Sequence, residues 1–253
     1  MIIHHPASIT RHPVYIVGSG PGDPELLTLK AHRLLTSWAE VVVYDRLIPE
    51  EILALIPPQV ERVYAGKSCR KHEMTQAEIN AELVAQANRG KKVVRLKGGD
   101  PFIFGRGGEE IEYLHQNGVV FEVVPGISAA SGISAALGIP LTHRGLATGV
   151  RYITGHQQKG EPMHHDWKSL ADPETTLVIY MGLANLGIIT ENLISARLSP
   201  DTPAVAVQDG TTGAEKICFA TVRNIATVTK EQGLVPPTTV FIGRVVGIAR
   251  RIG

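Results

Sequence analysis

Five short runs of β-branched and aromatic residues, separated by longer segments with helical spacing, constrain the fold of this chain most. We interpret them as strands: they cover residues 14–17, 41–44, 60–64, 93–96 and 119–124. Between the first two runs, apolar residues from Leu27 to Trp38 recur at the spacing of a helix. A second helix is expected to begin at Thr75, whose partner Glu78 completes a capping box. Strands that alternate with helices predict an α/β fold with a mostly parallel sheet.

The second half of the chain predicts a different kind of sheet. A helix of small residues at 128–137 is followed by expected strands around 150–154, 175–181, 204–207, 217–220 and 239–242. Two of these strands flank Asp209-Gly210 with no helix between them, which favours a mixed sheet. We therefore expect a loose tail at 1–13, an N-terminal α/β domain at 14–126 and a C-terminal α/β domain at 127–253.

Composition excludes several classes of function. The chain has 253 residues, of which 43% are hydrophobic, so it can bury a substantial core. Its 25 basic and 24 acidic residues argue against a nucleic-acid partner. Two cysteines, Cys69 and Cys218, argue against a disulfide scaffold or structural zinc. Adjacent residues rarely converge on one ion, so His164-His165-Asp166 is interpreted as a surface loop, and no metal is expected.

Neither a secretory signal nor a membrane helix is predicted. The first 13 residues lack the apolar core of a signal peptide, and no apolar run approaches the roughly 20 residues that span a bilayer. We expect a soluble, cytoplasmic protein.

Two glycine-rich loops follow predicted strands and mark where a ligand is expected. Residues 97–110 contain five glycines, which expose backbone N–H and C=O groups for close contact. Ligands of parallel sheets bind beyond the carboxyl ends of the strands, where these loops lie. The other loop, 18–23, begins like a dinucleotide fingerprint, but Asp23 stands where its third glycine should be and would repel a diphosphate. That loop therefore predicts a different ligand.

Charged residues at the same strand ends are candidates for substrate chemistry. Asp45 follows the second strand, where it could hold a ribose, cap a turn or act on a substrate. Lys67, Lys97 and Arg106 would place positive charge at one end of the sheet, which suits a polycarboxylate. Arg106 and Glu109 lie three residues apart on one helical face. They form either a modest ion pair or a carboxylate steadied as a proton acceptor.

Six segments, in order, resemble the S-adenosylmethionine-dependent tetrapyrrole methylases. They are residues 18–23, 41–46, 97–109, 124–131, 138–144 and 180–182. The long central segment and residues 141–144 resemble those family members that methylate uroporphyrinogen III. The resemblance runs from about Val14 to the end of the chain.

This resemblance implies two α/β domains with S-adenosylmethionine in the cleft between them, and usually a homodimer. The implied cofactor contacts are Pro21, Gly98, Gly99, Asp100, Ile103, Ser128, Ala129, Met181, Gly210 and Thr238. Of these, Thr238 stands where alanine is common in the family. The side chains implied to face the substrate are those of Asp45, Lys67, Arg106, Glu109 and Arg144, with Met181 between substrate and cofactor.

The implied reaction is two successive C-methylations of uroporphyrinogen III to precorrin-2, which feeds sirohaem, cobalamin or d-type haem synthesis. The methylated framework must then lose a proton, for which Glu109 or Asp45 could be the general base. Asp45 and Lys67 are the acid–base pair suggested for relatives, whereas Arg106 with Glu109 makes better electrostatic sense.

Other functions remain as alternatives. They are a related precorrin methyltransferase or ribosomal RNA methylase of this fold, a nicotinamide oxidoreductase, and a non-catalytic tetrapyrrole-binding module. Near-neutral charge counts against RNA, Asp23 counts against the nicotinamide, and a non-catalytic module would not need a slot for a sulfonium.

Overall fold

The structure is a computed structural model that describes residues 10–66, 74–156 and 163–252. Residues 1–9 of the expected N-terminal tail lie outside the described residues. The chain divides into two compact units, the first ending at Ser128 and the second beginning at Ala129. Each unit is built on its own five-stranded sheet.

The first unit has a parallel sheet, as predicted. Its strands are β1 (Val14–Gly18), β2 (Val41–Tyr44), β3 (Glu61–Tyr64), β4 (Val93–Lys97) and β5 (Phe121–Val124). They lie side by side in the order β3-β2-β4-β1-β5, and every pairing is parallel. Its helices are α1 (Leu29–Arg33), α2 (Glu50–Leu53), α3 (Gln76–Asn88) and α4 (Gly107–Gln116). The carboxyl ends of all five strands therefore meet at one edge.

Both faces of this sheet are buried, because strand residues alternate between them. On one face, Val94 and Leu96 pack with Leu34 and Leu35. On the other face, the core includes Val14, Ile16, Val41, Val43 and Val93 of the sheet, Ile79 and Leu83 of α3 and Leu114 of α4. Burying each such side chain contributes about 1.5–3 kcal/mol. Because both faces are buried, β1 and β2 are near-continuous apolar runs.

Two strands begin later than predicted, because the backbone amide of the predicted first residue donates a hydrogen bond within a turn. The strands β3 and β5 begin one and two residues late, because Val60 donates to the carbonyl of Pro57 and Val119 to that of Leu114. The predicted capping box at Thr75 is present, with Glu78 accepting from the Thr75 amide at 2.6 Å.

The first predicted helix is shorter in α form than its periodicity indicated. Thr28 caps it by accepting from the Ala31 amide at 3.1 Å. Beyond α1, the chain continues as a π-helical turn over Leu34–Trp38.

The second unit has a mixed sheet, again as predicted. Its strands are β6 (Gly149–Thr154), β7 (Thr175–Tyr180), β8 (Pro203–Gln208), β9 (Lys216–Thr221) and β10 (Thr238–Ile242). Only β6 and β7 pair in parallel; in the order β6-β7-β10-β8-β9 the other pairings are antiparallel. Its helices are α5 (Ala129–Ala136), α6 (Trp167–Leu170), α7 (Leu186–Ser195), α8 (Ile225–Glu231) and α9 (Val246–Ile252). In the described part of the chain, no helix has the length and apolarity to cross a membrane.

Candidate functional site

Three loops cross tightly at the carboxyl edge of the first sheet, at Gly18, Gly99 and Gly126. Gly99 donates to the Gly20 carbonyl at 2.7 Å and accepts from the Gly20 amide at 3.2 Å. A Cβ at Gly126 would lie 2.1 Å from the Gly99 oxygen, and one at Gly18 would lie 2.5 Å from it. Only glycine permits this approach. The amide and carbonyl of Gly99, which the sequence predicted for ligand contact, are therefore also part of the internal packing.

The long loop after β4 is held in one conformation by Asp100. One carboxylate oxygen of Asp100 accepts from the Phe102 amide at 2.9 Å and the other from the Gly126 amide at 3.1 Å. Phe104 and Arg106 have φ values of 53° and 59°, a left-handed conformation that is unfavourable for side chains of this size. Such strained positions cluster at functional sites. Phe102 and Phe104 are exposed and Ile103 is half-buried, so this loop offers apolar surface to a ligand.

A cluster of four charged side chains lies beside this loop, beneath α4. Arg95 donates from Nε to Glu110 Oε1 at 3.0 Å and from Nη2 to Asp45 Oδ1 at 2.6 Å. Lys97 donates from Nζ to the same Glu110 oxygen at 2.9 Å. Arg95, Lys97 and Glu110 are only 1%, 3% and 0% exposed. Asp45, at the end of β2, is the one member that reaches partly into solvent.

Burial and neighbouring charge act in opposite directions on the cations of this cluster. Burial lowers the pKa of Arg95, but the carboxylates of Asp45 and Glu110 more than offset it, so the pKa lies above its ordinary value. Burial, together with the charge of Arg95, holds the pKa of Lys97 below its ordinary value. Glu110 Oε1 also accepts from Gln76 at 3.2 Å, whereas its Oε2 has no hydrogen-bond partner among the described residues.

Arg95 and Glu110 were not among the predicted site residues, and the role expected of Lys97 was wrong. Lys97 was expected to add positive charge for a polycarboxylate, but it is buried against Glu110 and unavailable to one. The signal in the sequence was the placement of Arg95 and Lys97 two residues apart within a strand of aliphatic residues. That spacing puts both side chains on one face of β4.

The predicted pair Arg106 and Glu109 forms at the start of α4. Arg106 donates to the two carboxylate oxygens at 2.8 and 2.6 Å, and both side chains are 54% exposed. Hydrogen bonds from Arg106 hold the pKa of Glu109 below its ordinary value. A lowered pKa keeps the carboxylate ionised but makes it a weaker proton acceptor.

The second unit brings three predicted cofactor residues to one edge of its sheet. Met181 follows β7, Gly210 lies just beyond β8 and Thr238 begins β10, which runs antiparallel to both. Met181 has a φ of 52° and is 52% exposed. A Cβ at Gly210 would lie 2.5 Å from Cγ1 of Ile133, so glycine is needed there for packing against α5.

Ala129 belongs to the same region of the second unit. It opens α5, and the amide of its neighbour Ala130 donates to the Tyr180 hydroxyl at 3.0 Å, immediately before Met181.

The remaining predicted residues are placed individually. Pro21 and Gly98 are half-buried, Ser128 is buried and Arg144 is exposed beside the turn that joins His143 to Ala147. Lys67 lies outside the described residues. In the segment interpreted as a surface loop, His164 and Asp166 are exposed, and Asp166 caps α6 by accepting from the Ser169 amide at 3.2 Å. No group of three potential metal ligands occurs in the part of the chain that the structure describes.

Comparison with known proteins identifies relatives for almost the whole chain. Residues 13–226 match the family described as tetrapyrrole (corrin/porphyrin) methylases. The chain is 51% identical over 93% of its length to an S-adenosyl-L-methionine-dependent uroporphyrinogen III methyltransferase from the chloroplast of Arabidopsis thaliana. It is 51% identical over 94% of its length to a sirohaem synthase of Nitrosospira multiformis. It spans 64% of the first relative and 50% of the second.

A solved structure also matches the fold. Uroporphyrin-III C-methyltransferase from Thermus thermophilus, crystallised with S-adenosyl homocysteine, superposes with a TM-score of 0.78 at 42% identity. The match covers 93% of this chain and 94% of that one.

Proposed function

Because the chain belongs to the tetrapyrrole (corrin/porphyrin) methylase family, we propose that it is an S-adenosylmethionine-dependent C-methyltransferase that converts uroporphyrinogen III to precorrin-2 by two methylations. The observation that carries the proposal is the first sheet's carboxyl edge, where a strained apolar loop adjoins a carboxylate held by a buried guanidinium. The names of the Arabidopsis and Thermus relatives support the substrate. The sirohaem synthases support a role in sirohaem synthesis, and cobalamin or d-type haem are further uses of the same product.

The residues at both sheet edges suit S-adenosylmethionine. A sulfonium cofactor with an adenine ring needs apolar contact and backbone hydrogen bonds, and it needs no cluster of basic residues as a diphosphate does. In the first unit we assign its contacts to Pro21, Gly98, Gly99, Asp100, Ile103 and Ser128. In the second unit we assign them to Ala129, Met181, Gly210 and Thr238. When bound, the cofactor supplies an electrophilic methyl group, so the work of the protein is positioning and proton removal.

Substrate binding is assigned to exposed groups of each unit. Uroporphyrinogen III carries eight carboxylates, and the exposed guanidinium of Arg144 can bind a carboxylate through two parallel hydrogen bonds. Arg106, whose Nε and Nη2 donate to Glu109, adds a second exposed positive charge. Met181 presents an exposed, adaptable apolar side chain to the macrocycle. Lys67 stays a proposed acid–base partner on the family resemblance alone.

Two carboxylates remain candidates for the general base, and the geometry favours Asp45. Both oxygens of Glu109 accept from Arg106 in an exposed helical ion pair, and its pKa is lowered. Asp45 binds its arginine through one oxygen only. Among the described residues, its Oδ2 accepts no hydrogen bond and has Lys97 Nζ 3.9 Å away. That oxygen is open to accept a proton from the substrate.

Single-turnover methylation by matched variants tests this assignment. Asp45→Asn and Glu109→Gln each keep the shape of the side chain but remove its capacity as a base, which typically costs about 10²–10⁴ in rate. We expect that loss in Asp45→Asn and a small change in Glu109→Gln, with S-adenosylmethionine affinity retained in both. The reverse order of rates would assign the base to Glu109.

Calorimetric titration with S-adenosylmethionine, followed by product mass after incubation with uroporphyrinogen III, tests the activity itself. Two added methyl groups support the proposal. Methylation of a later precorrin but not of uroporphyrinogen III would instead favour the related precorrin methyltransferase. We further propose a cytoplasmic homodimer that acts without nucleic acid or membrane. A net charge of +1 argues against a nucleic-acid partner and the low cysteine content suits a reducing compartment, whereas the dimer rests on the family resemblance. Sedimentation of the purified protein tests the dimer.

A further inference from the structure

The guanidinium of Arg95 is buried within the cluster, so it cannot reach a ligand directly. It is 1% exposed and extends from the middle strand of the sheet to Glu110 at one end and Asp45 at the other. We propose that Arg95 is a positioning residue that sets the direction of the Asp45 carboxylate. This inference rests on the proposed function, in which Asp45 accepts a proton.

The geometry of the guanidinium explains how one side chain can do this. Its planar fork donates from Nε to Glu110 Oε1 and from Nη2 to Asp45 Oδ1, so its plane is held from two directions. Glu110 is itself fixed, because Lys97 and Gln76 donate to the same oxygen. A rotation of Arg95 would break its bond to a fully buried carboxylate. Asp45 Oδ1 is therefore held in place by Arg95, and this fixes the direction of Oδ2, which lies 3.9 Å from Lys97 Nζ.

Burial of these charges is costly unless every partner is present, and apolar replacements of equal volume are often as stable. A purely structural cluster would tie α4 to the sheet, and its loss would lower stability without changing the rate of the folded enzyme. A positioning cluster predicts a loss of rate that depends on Asp45. The two roles therefore differ in a quantity that can be measured.

The test is a cycle of wild type, Arg95→Lys, Asp45→Asn and the double variant. Lysine keeps the charge but has no fork that can bind Glu110 and Asp45 together. Because a misplacement of 1 Å can cost on the order of 10² in rate, we expect Arg95→Lys to slow single-turnover methylation by about tenfold or more. In the Asp45→Asn background, where there is no base to misplace, the same change should cost about twofold or less. The S-adenosylmethionine dissociation constant should stay within about twofold of wild type in all four proteins.

Arg223→Lys is the matched control. Arg223 pairs with Asp201 at 3.1 Å on the surface of the second unit, with side chains 63% and 77% exposed, and its replacement should leave rate and affinity unchanged. If Arg95→Lys does not fold, Glu110→Gln replaces it in the cycle. That variant weakens the hydrogen bond that Glu110 accepts from Arg95. We expect about a threefold to tenfold loss of rate, again only when Asp45 is present.

Each other outcome overturns a distinct statement. A normal rate in Arg95→Lys, or an equal loss in both backgrounds, refutes the positioning role while leaving Asp45 as the base. A normal rate in Asp45→Asn refutes the base assignment and with it this inference. A wild-type protein that binds S-adenosylmethionine but methylates no tetrapyrrole refutes the proposed function.

Discussion

Replacing Gly126 with alanine should disrupt the crossing of loops at the carboxyl edge of the first sheet. The added Cβ would lie 2.1 Å from the Gly99 oxygen, so about 1.3 Å of separation is needed to reach ordinary contact at 3.4 Å. The Gly99 oxygen is a backbone atom and the position of the added Cβ is fixed by the backbone, so neither can rotate away. Overpacking typically costs about 1–3 kcal/mol, and the two hydrogen bonds between Gly20 and Gly99 contribute about 1 kcal/mol each. We therefore expect a loss of about 3–5 kcal/mol of unfolding free energy.

Urea unfolding measures this loss in the unit that contains the change. The chain has two tryptophans, Trp38 in the first unit and Trp167 in the second, so fluorescence in a Trp167→Phe background reports on the first unit alone. Gly108→Ala is the control, because no atom lies within 4 Å of its added Cβ and it lies in α4, where alanine is favoured over glycine by up to about 1 kcal/mol. Stability of Gly126→Ala within about 0.5 kcal/mol of wild type, with unchanged S-adenosylmethionine affinity, would refute the argument.

Three further predictions follow from individual side chains. Arg144→Ala removes an exposed guanidinium and should weaken uroporphyrinogen III binding by about 10- to 100-fold, equivalent to ~1.5–3 kcal/mol. The cofactor dissociation constant should not change. If calorimetry gives the variant and the wild type equal affinity for the tetrapyrrole, this prediction is wrong. Met181→Gly relieves a left-handed φ of 52° and should raise stability by about 1 kcal/mol while lowering turnover; unchanged turnover would remove Met181 from the site. The lowered pKa of Glu109 means that its pair with Arg106 adds stability above the ordinary glutamate pKa of about 4.3 and that this contribution is lost as the pH falls through the lowered folded-state value. In acid unfolding, Glu109→Gln should lack this pH-dependent contribution of a few tenths of a kcal/mol to the unfolding free energy. Identical acid-unfolding profiles of the variant and the wild type would disprove the prediction.

Much of the fold could be predicted from the sequence because it depends on local patterns. Runs of β-branched residues, helical spacing and the capping box at Thr75 are each read from neighbours a few residues apart. The two kinds of sheet followed from the same evidence, since helices separated the first five strands and none separated the strands around Asp209. Element ends were less predictable, because Val60 and Val119 give their amides to turns that local pattern does not reveal.

The loops to which the site is assigned were predictable, but the contacts among them were not. Glycines after a strand indicate close approach of the backbone, and the sequence could not distinguish approach to a ligand from approach to another loop. At Gly99 the structure shows approach to other loops, because its carbonyl lies against Gly18 and Gly126. Its contact with a cofactor stays a proposal. The three glycines are far apart in the chain and meet only because β1 lies between β4 and β5.

By itself, the sequence determined which residues form the strands of this protein and at which edge of the first sheet its charged and glycine-rich loops collect. Only the tertiary structure decided which charges are buried and which are exposed. Register places Arg95 beside Val43 of β2, so its side chain reaches Asp45, 50 residues earlier in the chain, and Glu110 on the overlying helix. The sequence around a charged residue in a strand does not indicate which residue will pair with it. The pair depends on how distant segments pack, and burying a charge without a partner is costly.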